Sequence, residues 1–119
     1  MDVNNKDFAK GLEERTKEFA LRIIRLSAGM PKTPEALVIR NQITKSGTSV
    51  GANYREANRA RSRADFMNRI KICESEASET QYWLELIRAA DWLPKEKVAT
   101  AHNECSELLA VFTTIGRKR

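Results

Sequence analysis

The sequence predicts an all-α protein, an antiparallel up-down-up-down four-helix bundle that forms one domain over residues 1–119. Ala, Glu, Lys, Leu and Arg make up close to half of the chain, a composition typical of long helices. There are only 5 Gly and 3 Pro, too few turn-forming residues for an all-β fold. Four stretches carry apolar residues at spacings of three and four, and short turns separate them, as in an up-down bundle.

The first helix is predicted over about residues 8–28. The second is predicted over about 34–60, because residues 33–35 read Thr-Pro-Glu, which suits a helix N-terminus. The apolar stripe of the second helix contains Gly47 and Gly51, four residues apart and therefore on one face. Each Gly in a helix interior costs about 1 kcal/mol relative to Ala. We therefore expect another backbone to pass close to these two glycines.

The third helix is predicted over about residues 63–90, with Ser62 as the N-cap and Asp65 three residues later. The fourth is predicted over about 95–115, where apolar residues alternate at spacings of three and four. The up-down topology places the turn between the second and third helices at the same end as both chain termini.

The formal net charge of +5 is unevenly distributed. Residues 31–65 carry 7 basic and 3 acidic side chains, whereas residues 66–91 carry 3 and 5. The predicted topology gathers the basic residues, together with Lys6 and Lys10, at one end of the bundle. The planar guanidinium group of arginine suits phosphate recognition, so these residues are candidates for nucleic-acid binding. The alternative is that they are solvated residues of a turn and a chain terminus, with no binding role. The candidates are Arg55, Arg59, Arg61, Arg63, Arg117, Lys118 and Arg119.

Polar residues form a second stripe on each of the two middle helices. Clustered carboxylates in a bundle raise the possibility of a di-metal site, but the chain lacks the Glu-x-x-His motif and has one histidine, His102. We therefore expect no metal and no cofactor. A polar network at a helix–helix or subunit contact is the preferred interpretation, with candidates Ser49, Asn53, Glu56, Glu76, Glu79 and Trp83.

The sequence also carries more apolar side chains than the inner stripes can hold. Tyr82, Trp83, Leu86 and Trp92 cannot all point into so small a core. Leu, Ile, Val and Phe make up only about a fifth of the chain, so a lone monomer would have a lean core. Both observations favour self-association, and the alternative is scattered exposed hydrophobic residues. Cys73 and Cys105 lie on core stripes and are expected to be buried.

No feature of the sequence indicates catalysis. We find no Gly-rich phosphate loop, no nucleophile beside a base and no pair of histidines, so no catalytic residue is predicted. Glu76 and Glu79 share a helix face, but nothing in the sequence gives them a pocket. No stretch is apolar enough to span a membrane, and the largely polar first seven residues lack the apolar core of a signal peptide, so a cytoplasmic location is expected.

The segments 46–57, 61–66 and 71–84 (SGTSVGANYREA, RSRADF and KICESEASETQYWL) resemble the bacterial four-helix bundle family known as 23S rRNA intervening-sequence proteins. The resemblance implies an up-down bundle assembled into a homopentameric ring. Some members are encoded within insertions in ribosomal RNA genes, and a related branch is the accessory protein of diversity-generating retroelements, which binds a reverse transcriptase and nucleic acid. The matching signature positions are Ser49, Asn53, Glu56, Arg61, Ser62, Asp65, Phe66, Glu76, Glu79 and Thr80.

Together these observations predict a non-enzymatic, oligomeric helical bundle that binds RNA, DNA or a nucleoprotein through its basic end. The alternative is a protein-interaction scaffold or accessory subunit, for example of a reverse transcriptase, with no direct role in nucleic-acid binding. The expected partners are other copies of the chain, nucleic acid and a protein, with no membrane contact.

Overall fold

The computed structural model describes residues 5–117 and contains four helices, with no strand in that part of the chain. They are α1 (Lys6–Ala28), α2 (Pro34–Ala57), α3 (Arg63–Ala89) and α4 (Lys95–Arg117). Each helix packs against the next one along the chain, and α4 closes the bundle against α1 through a sparser seam. The order around the bundle is therefore α1, α2, α3, α4, and the α1–α4 seam lies opposite the α2–α3 seam.

Contacts between α2 and α3 show that neighbouring helices run in opposite directions. The Cys73 thiol donates to the Val50 carbonyl at 3.5 Å, and Thr80 and Ser46 share a hydrogen bond of 2.8 Å. Residue numbers rise along α3 as they fall along α2, which defines an antiparallel pair. Turns of five residues reverse the chain after α1, α2 and α3, and an all-α bundle of four packed helices results.

The core forms where the four apolar stripes meet along the bundle axis. Tyr54 and Phe112 meet diagonally across it, with ring centroids 5.7 Å apart and planes tilted by 56°. Cys73 and Cys105 are both buried, and each thiol donates to a backbone carbonyl of a neighbouring helix. Burial raises the pKa of both thiols to about 12, because desolvation disfavours the thiolate.

Four of the eight helix ends coincide with the predicted bounds, and the other four differ by one to three residues for local reasons. Helix α1 begins at Lys6 instead of residue 8 because the Asn5 side chain caps it, accepting from the Asp7 N–H at 2.7 Å. Helix α2 ends at Ala57 instead of residue 60, because the N–H groups of Arg59 and Ala60 donate to carbonyls three residues back instead of four. Helix α4 continues past Gly116 to Arg117.

The C-terminus of α3 contains the single left-handed residue of the described chain, Asp91, with φ of 60°. The Asp91 N–H donates to the Arg88 carbonyl, and the Trp92 N–H donates to the Ile87 carbonyl. These two bonds form a Schellman motif, in which glycine is the favoured residue at the left-handed position. Asp91 occupies that position here and allows the chain to reverse into α4.

The two glycines of α2 allow α1 to approach closely, in two different ways. A Cβ atom added at Gly51 would lie 3.0 Å from Thr16 Oγ1 and 3.4 Å from the Thr16 carbonyl carbon, so the backbone of α1 does come close there. A Cβ atom at Gly47 would lie only 2.8 Å from Cγ2 of Ile23. The close backbone approach is confirmed at Gly51, whereas the atoms nearest to Gly47 belong to the fully buried Ile23 side chain.

Candidate functional site

The turn between α2 and α3 lies beside the first turn of α1 and the last turn of α4. A shallow cleft is lined by Lys6 and Lys10 from α1 and by Asn58 and Ala60 from the turn, with Phe66 alongside them. The end of α4 packs against the start of α3, since a Cβ atom at Gly116 would lie 3.8 Å from Ile70 Cγ2. These chain segments therefore converge at one end of the bundle, as the topology predicted. We call this surface the basic end.

All five described arginines among the nucleic-acid candidates are exposed to solvent. Arg55 lies 4.0 Å from the Glu13 carboxylate, which also accepts a hydrogen bond from Asn58 at 2.8 Å. Arg59 and Arg61 make no ion pair within residues 5–117. Lys118 and Arg119 lie outside the described residues. The described candidates are Arg55, Arg59, Arg61, Arg63 and Arg117.

A second surface follows the outer side of the α2–α3 seam, and we call it the α2–α3 face. Within residues 5–117, the hydrogen bonds of its polar residues are local pairs and do not form one continuous network. Asn53 accepts from Arg69 of α3 at 3.1 Å, and Trp83 donates its indole N–H to Glu79 at 3.1 Å. Glu56 is exposed. The face comprises Val38, Lys45, Ser49, Asn53 and Glu56 of α2 with Arg69, Ile72, Glu76, Glu79 and Trp83 of α3.

Glu76 stands out on the α2–α3 face because its carboxylate is half-buried. Desolvation raises its pKa, the nearby Glu79 raises it further, and the charge of Lys45 offsets part of the shift. No ion pair to Glu76 is present in the described part of the chain. The face therefore carries a partly desolvated carboxylate that is influenced by the charge of Lys45 but makes no ion pair within residues 5–117.

The surplus apolar residues identified in the sequence are all incompletely buried. Tyr82 is 54% exposed, whereas Trp83 and Trp92 pack partly against the core. On the α2–α3 face, Val38 is 59% exposed and Ile72 is 39% exposed. This face therefore combines apolar contact area with half-buried carboxylates.

The α1–α4 seam contains an ion-pair cluster for which sequence periodicity gave no signal. Arg15 grips Glu104 through two hydrogen bonds of 2.8 and 2.9 Å and reaches Glu107 at 2.6 Å. Beside this cluster, a groove of about 590 Å³ runs between the two helices, and we call it the α1–α4 groove. It is lined by Glu18, Phe19, Arg22, Arg25 and Leu26 of α1 with Lys97, Thr100, Asn103, Glu104 and Glu107 of α4.

The buried polar contact of the bundle lies between two residues of the inner stripes. Ser46 and Thr80 are both 0% exposed and are joined by their 2.8 Å hydrogen bond, and Thr80 also lies 2.8 Å from the Glu76 carbonyl oxygen. Both hydroxyls are therefore satisfied inside the core, as buried polar groups must be. The sequence carries a signal for this contact, because Ser46 and Thr80 each interrupt one of two facing apolar stripes.

His102 pairs with Glu85 of α3 at 3.0 Å. Within residues 5–117, no three His, Cys, Asp or Glu side chains converge as metal ligands would. In the same range, no helix carries the long, weakly charged apolar stretch that a bilayer-spanning segment needs.

These features define a small helical-bundle protein with a basic end. The sequence pattern of the family described as 23S rRNA-intervening sequence protein matches residues 12–114, and the chain belongs to that family. A crystal structure of a protein of unknown function from the S23 ribosomal protein family of Bacteroides thetaiotaomicron is similar to this chain. The two share 38% identity with a TM-score of 0.83, over 89% of this chain and 98% of that one. No curated protein matches the sequence.

Proposed function

We propose that this protein is a non-enzymatic, oligomeric helical bundle that binds RNA or DNA through its basic end. The observation that carries the proposal is the convergence of exposed arginines from the α2–α3 turn with Lys6, Lys10 and Arg117. The guanidinium group of arginine binds phosphate oxygens through paired hydrogen bonds. Neutralising the phosphates also releases the counterions condensed on the nucleic acid, which favours binding. The sequence from Arg55 to Arg63 contains no aromatic residue, and Tyr54 at its edge is buried, so base stacking has no support there. Binding therefore follows the phosphate backbone and is largely independent of sequence.

The oligomer is proposed to be a homopentamer, on the basis of the resemblance to a family whose members form pentameric rings. Exposed apolar side chains on the α2–α3 face support self-association, because covering them with a second copy removes apolar area from water. Several basic ends in one assembly would bind a single nucleic acid more tightly than one copy does.

The test compares two charge-neutralised variants of the full chain in a mobility-shift assay with a random-sequence RNA and a DNA duplex. The first variant, Arg59→Gln with Arg61→Gln, changes the basic end. The matched control, Arg88→Gln with Lys95→Gln, removes the same charge from exposed residues at the opposite end. We expect the first variant to weaken binding at least tenfold and the control to bind like the wild type. Equal loss in both variants would show that net charge, and not the basic end, drives binding.

The alternative proposal is a protein-interaction scaffold or accessory subunit that uses the α2–α3 face. Exposed Val38 and Ile72 together with the half-buried Trp83 favour it, since aromatic and apolar side chains are enriched at interfaces. A pull-down from the native host with and without nuclease distinguishes the two functions. A partner retained after nuclease treatment favours the scaffold, and a partner lost with the nucleic acid favours the basic end.

A further inference from the structure

Two surfaces on opposite sides of the bundle carry charged side chains that make no ion pair within residues 5–117. On the α2–α3 face, Glu76 is half-buried beside Glu79, and the positive charge of Lys45 partly offsets the effect of that burial on Glu76. Ile72 lies one helical turn before Glu76 on α3 and is 39% exposed, and Val38 is exposed further along the same face. This face would gain from a partner that is concave, partly apolar and positively charged.

The α1–α4 groove has those properties. Arg22, Arg25 and Lys97 line it, and none of the three makes an ion pair within residues 5–117. The acidic residues Glu104 and Glu107 are engaged by Arg15, which leaves Glu18 as the other acidic residue of the lining. Together with Arg15, the groove has four cations against three carboxylates, a net formal charge of +1, and its three cations without an ion pair in residues 5–117 are Arg22, Arg25 and Lys97.

We propose that the α2–α3 face of one copy seats in the α1–α4 groove of a second copy, with Glu76 and Glu79 against Arg22, Arg25 and Lys97. The two surfaces differ, so the contact is heterologous: each added copy presents a free face and a free groove until a ring closes. Pairing the carboxylates with guanidinium groups offsets the cost of burying both. This inference rests on the self-association in the proposed function and is independent of nucleic-acid binding.

Charge reversal on each surface tests the pairing, with molar mass measured by light scattering at micromolar concentration. The groove variant is Arg22→Glu with Arg25→Glu, and the face variant is Glu76→Arg with Glu79→Arg. A combined variant carries all four changes, which restores opposite charges across the contact with the signs exchanged.

Two further variants complete the set. Arg59→Glu with Arg61→Glu applies the same charge change at the basic end and serves as the control. Glu76→Gln with Glu79→Gln removes the charges of the face at constant side-chain size, so its result does not depend on whether the reversed variants fold. Circular dichroism checks helix content in each case.

We expect an oligomer for the wild type and the control. The groove and face variants should fall to the 13.5 kDa monomer, the Gln variant should associate at least tenfold more weakly, and the combined variant should regain the wild-type mass. Wild-type mass in the groove or face variant would overturn the pairing while leaving self-association intact. A combined variant that stays monomeric would also overturn it. A monomeric wild type would overturn both the pairing and self-association, and the RNA assay would still report separately on the basic end.

Discussion

Gly51 of α2 lies directly against Thr16 of α1, so close that a Cβ atom on Gly51 would stand 3.0 Å from the Thr16 hydroxyl oxygen and 3.2 Å from its Cβ. Thr16 itself is fully buried and donates its hydroxyl back to the carbonyls of its own helix. One helical turn away, Gly47 meets Ile23 in the same seam. The close distance between α1 and α2 is therefore possible because Gly47 and Gly51 have no Cβ atom. This explains why glycine is tolerated in the interior of α2.

Replacing Gly47 by Ala should destabilise the bundle by about 1–3 kcal/mol, because the new methyl group would overlap a fully buried Ile23. The matched control is Gly11→Ala in α1, where a Cβ atom has no neighbour within 4 Å. That change should stabilise the chain by up to about 1 kcal/mol through helix propensity alone. Urea unfolding of both variants measures the difference.

Gly47→Leu and Gly51→Leu should disrupt helix packing and assembly more severely than Gly47→Ala. Wild-type stability in both Leu variants would contradict the close contact between α1 and α2.

Thr80→Val should cost about 1–3 kcal/mol, because it removes the 2.8 Å hydrogen bond to the fully buried Ser46 hydroxyl and leaves that hydroxyl with its longer 3.4 Å bond to the Ile43 carbonyl. The double variant Ser46→Ala with Thr80→Val removes both hydroxyls and should be less destabilised than the sum of the two single variants. A double-mutant cycle from thermal unfolding gives the coupling energy. Strict additivity would mean that the two hydroxyls do not depend on each other.

Asp91→Gly should raise stability by at most about 1 kcal/mol, since glycine adopts the left-handed conformation that an L-residue disfavours. Asp91→Ala should lower stability, because Ala has neither the freedom of Gly nor the local hydrogen bonding of Asp. The transition midpoints of the two variants in urea should therefore lie on opposite sides of the wild-type midpoint. Two shifts in the same direction would argue against backbone conformation as the cause.

The thiols of Cys73 and Cys105 should resist a thiol-specific reagent in the native protein and react once the chain unfolds. Burial raises the pKa of each thiol from 9.0 to about 12, so the reactive thiolate is scarce near neutral pH. Because the native state holds these protons more tightly than the unfolded state, stability should fall as the pH rises from 9 toward 12. Rapid labelling of both thiols in the folded protein would show that α2, α3 and α4 separate far more readily than their packing implies.

The apolar stripes were sufficient to predict the helices because each helix buries a regular three-and-four pattern, from Leu12 in α1 to Ile115 in α4. The helix ends were less predictable, since they depend on single interactions such as the Asn5 cap and the left-handed Asp91. The periodicity of apolar residues indicates which side of a helix is buried. It does not indicate which side chain or hydrogen bond terminates the helix.

For the candidate site, topology alone predicted that the α2–α3 turn would lie beside the start of α1, and the cleft lined by Lys10 and Asn58 shows it. The Arg15–Glu104 contact could not be predicted in the same way, because it joins residues 89 positions apart on polar faces that carry no periodic signal. Long-range polar contacts depend on the rotation of each helix about its axis. Only the packed structure fixes that rotation.

The binding of nucleic acid through the basic end is tested most directly by the salt dependence of the dissociation constant, measured with a DNA duplex between about 50 and 200 mM salt. Each neutralised phosphate contributes about −0.9 to the slope of log affinity against log salt concentration. We predict a slope steeper than about −2 for the wild type, and a slope shallower by about 2 for Arg59→Gln with Arg61→Gln. No binding at low salt, or an affinity that does not change with salt, would contradict the account.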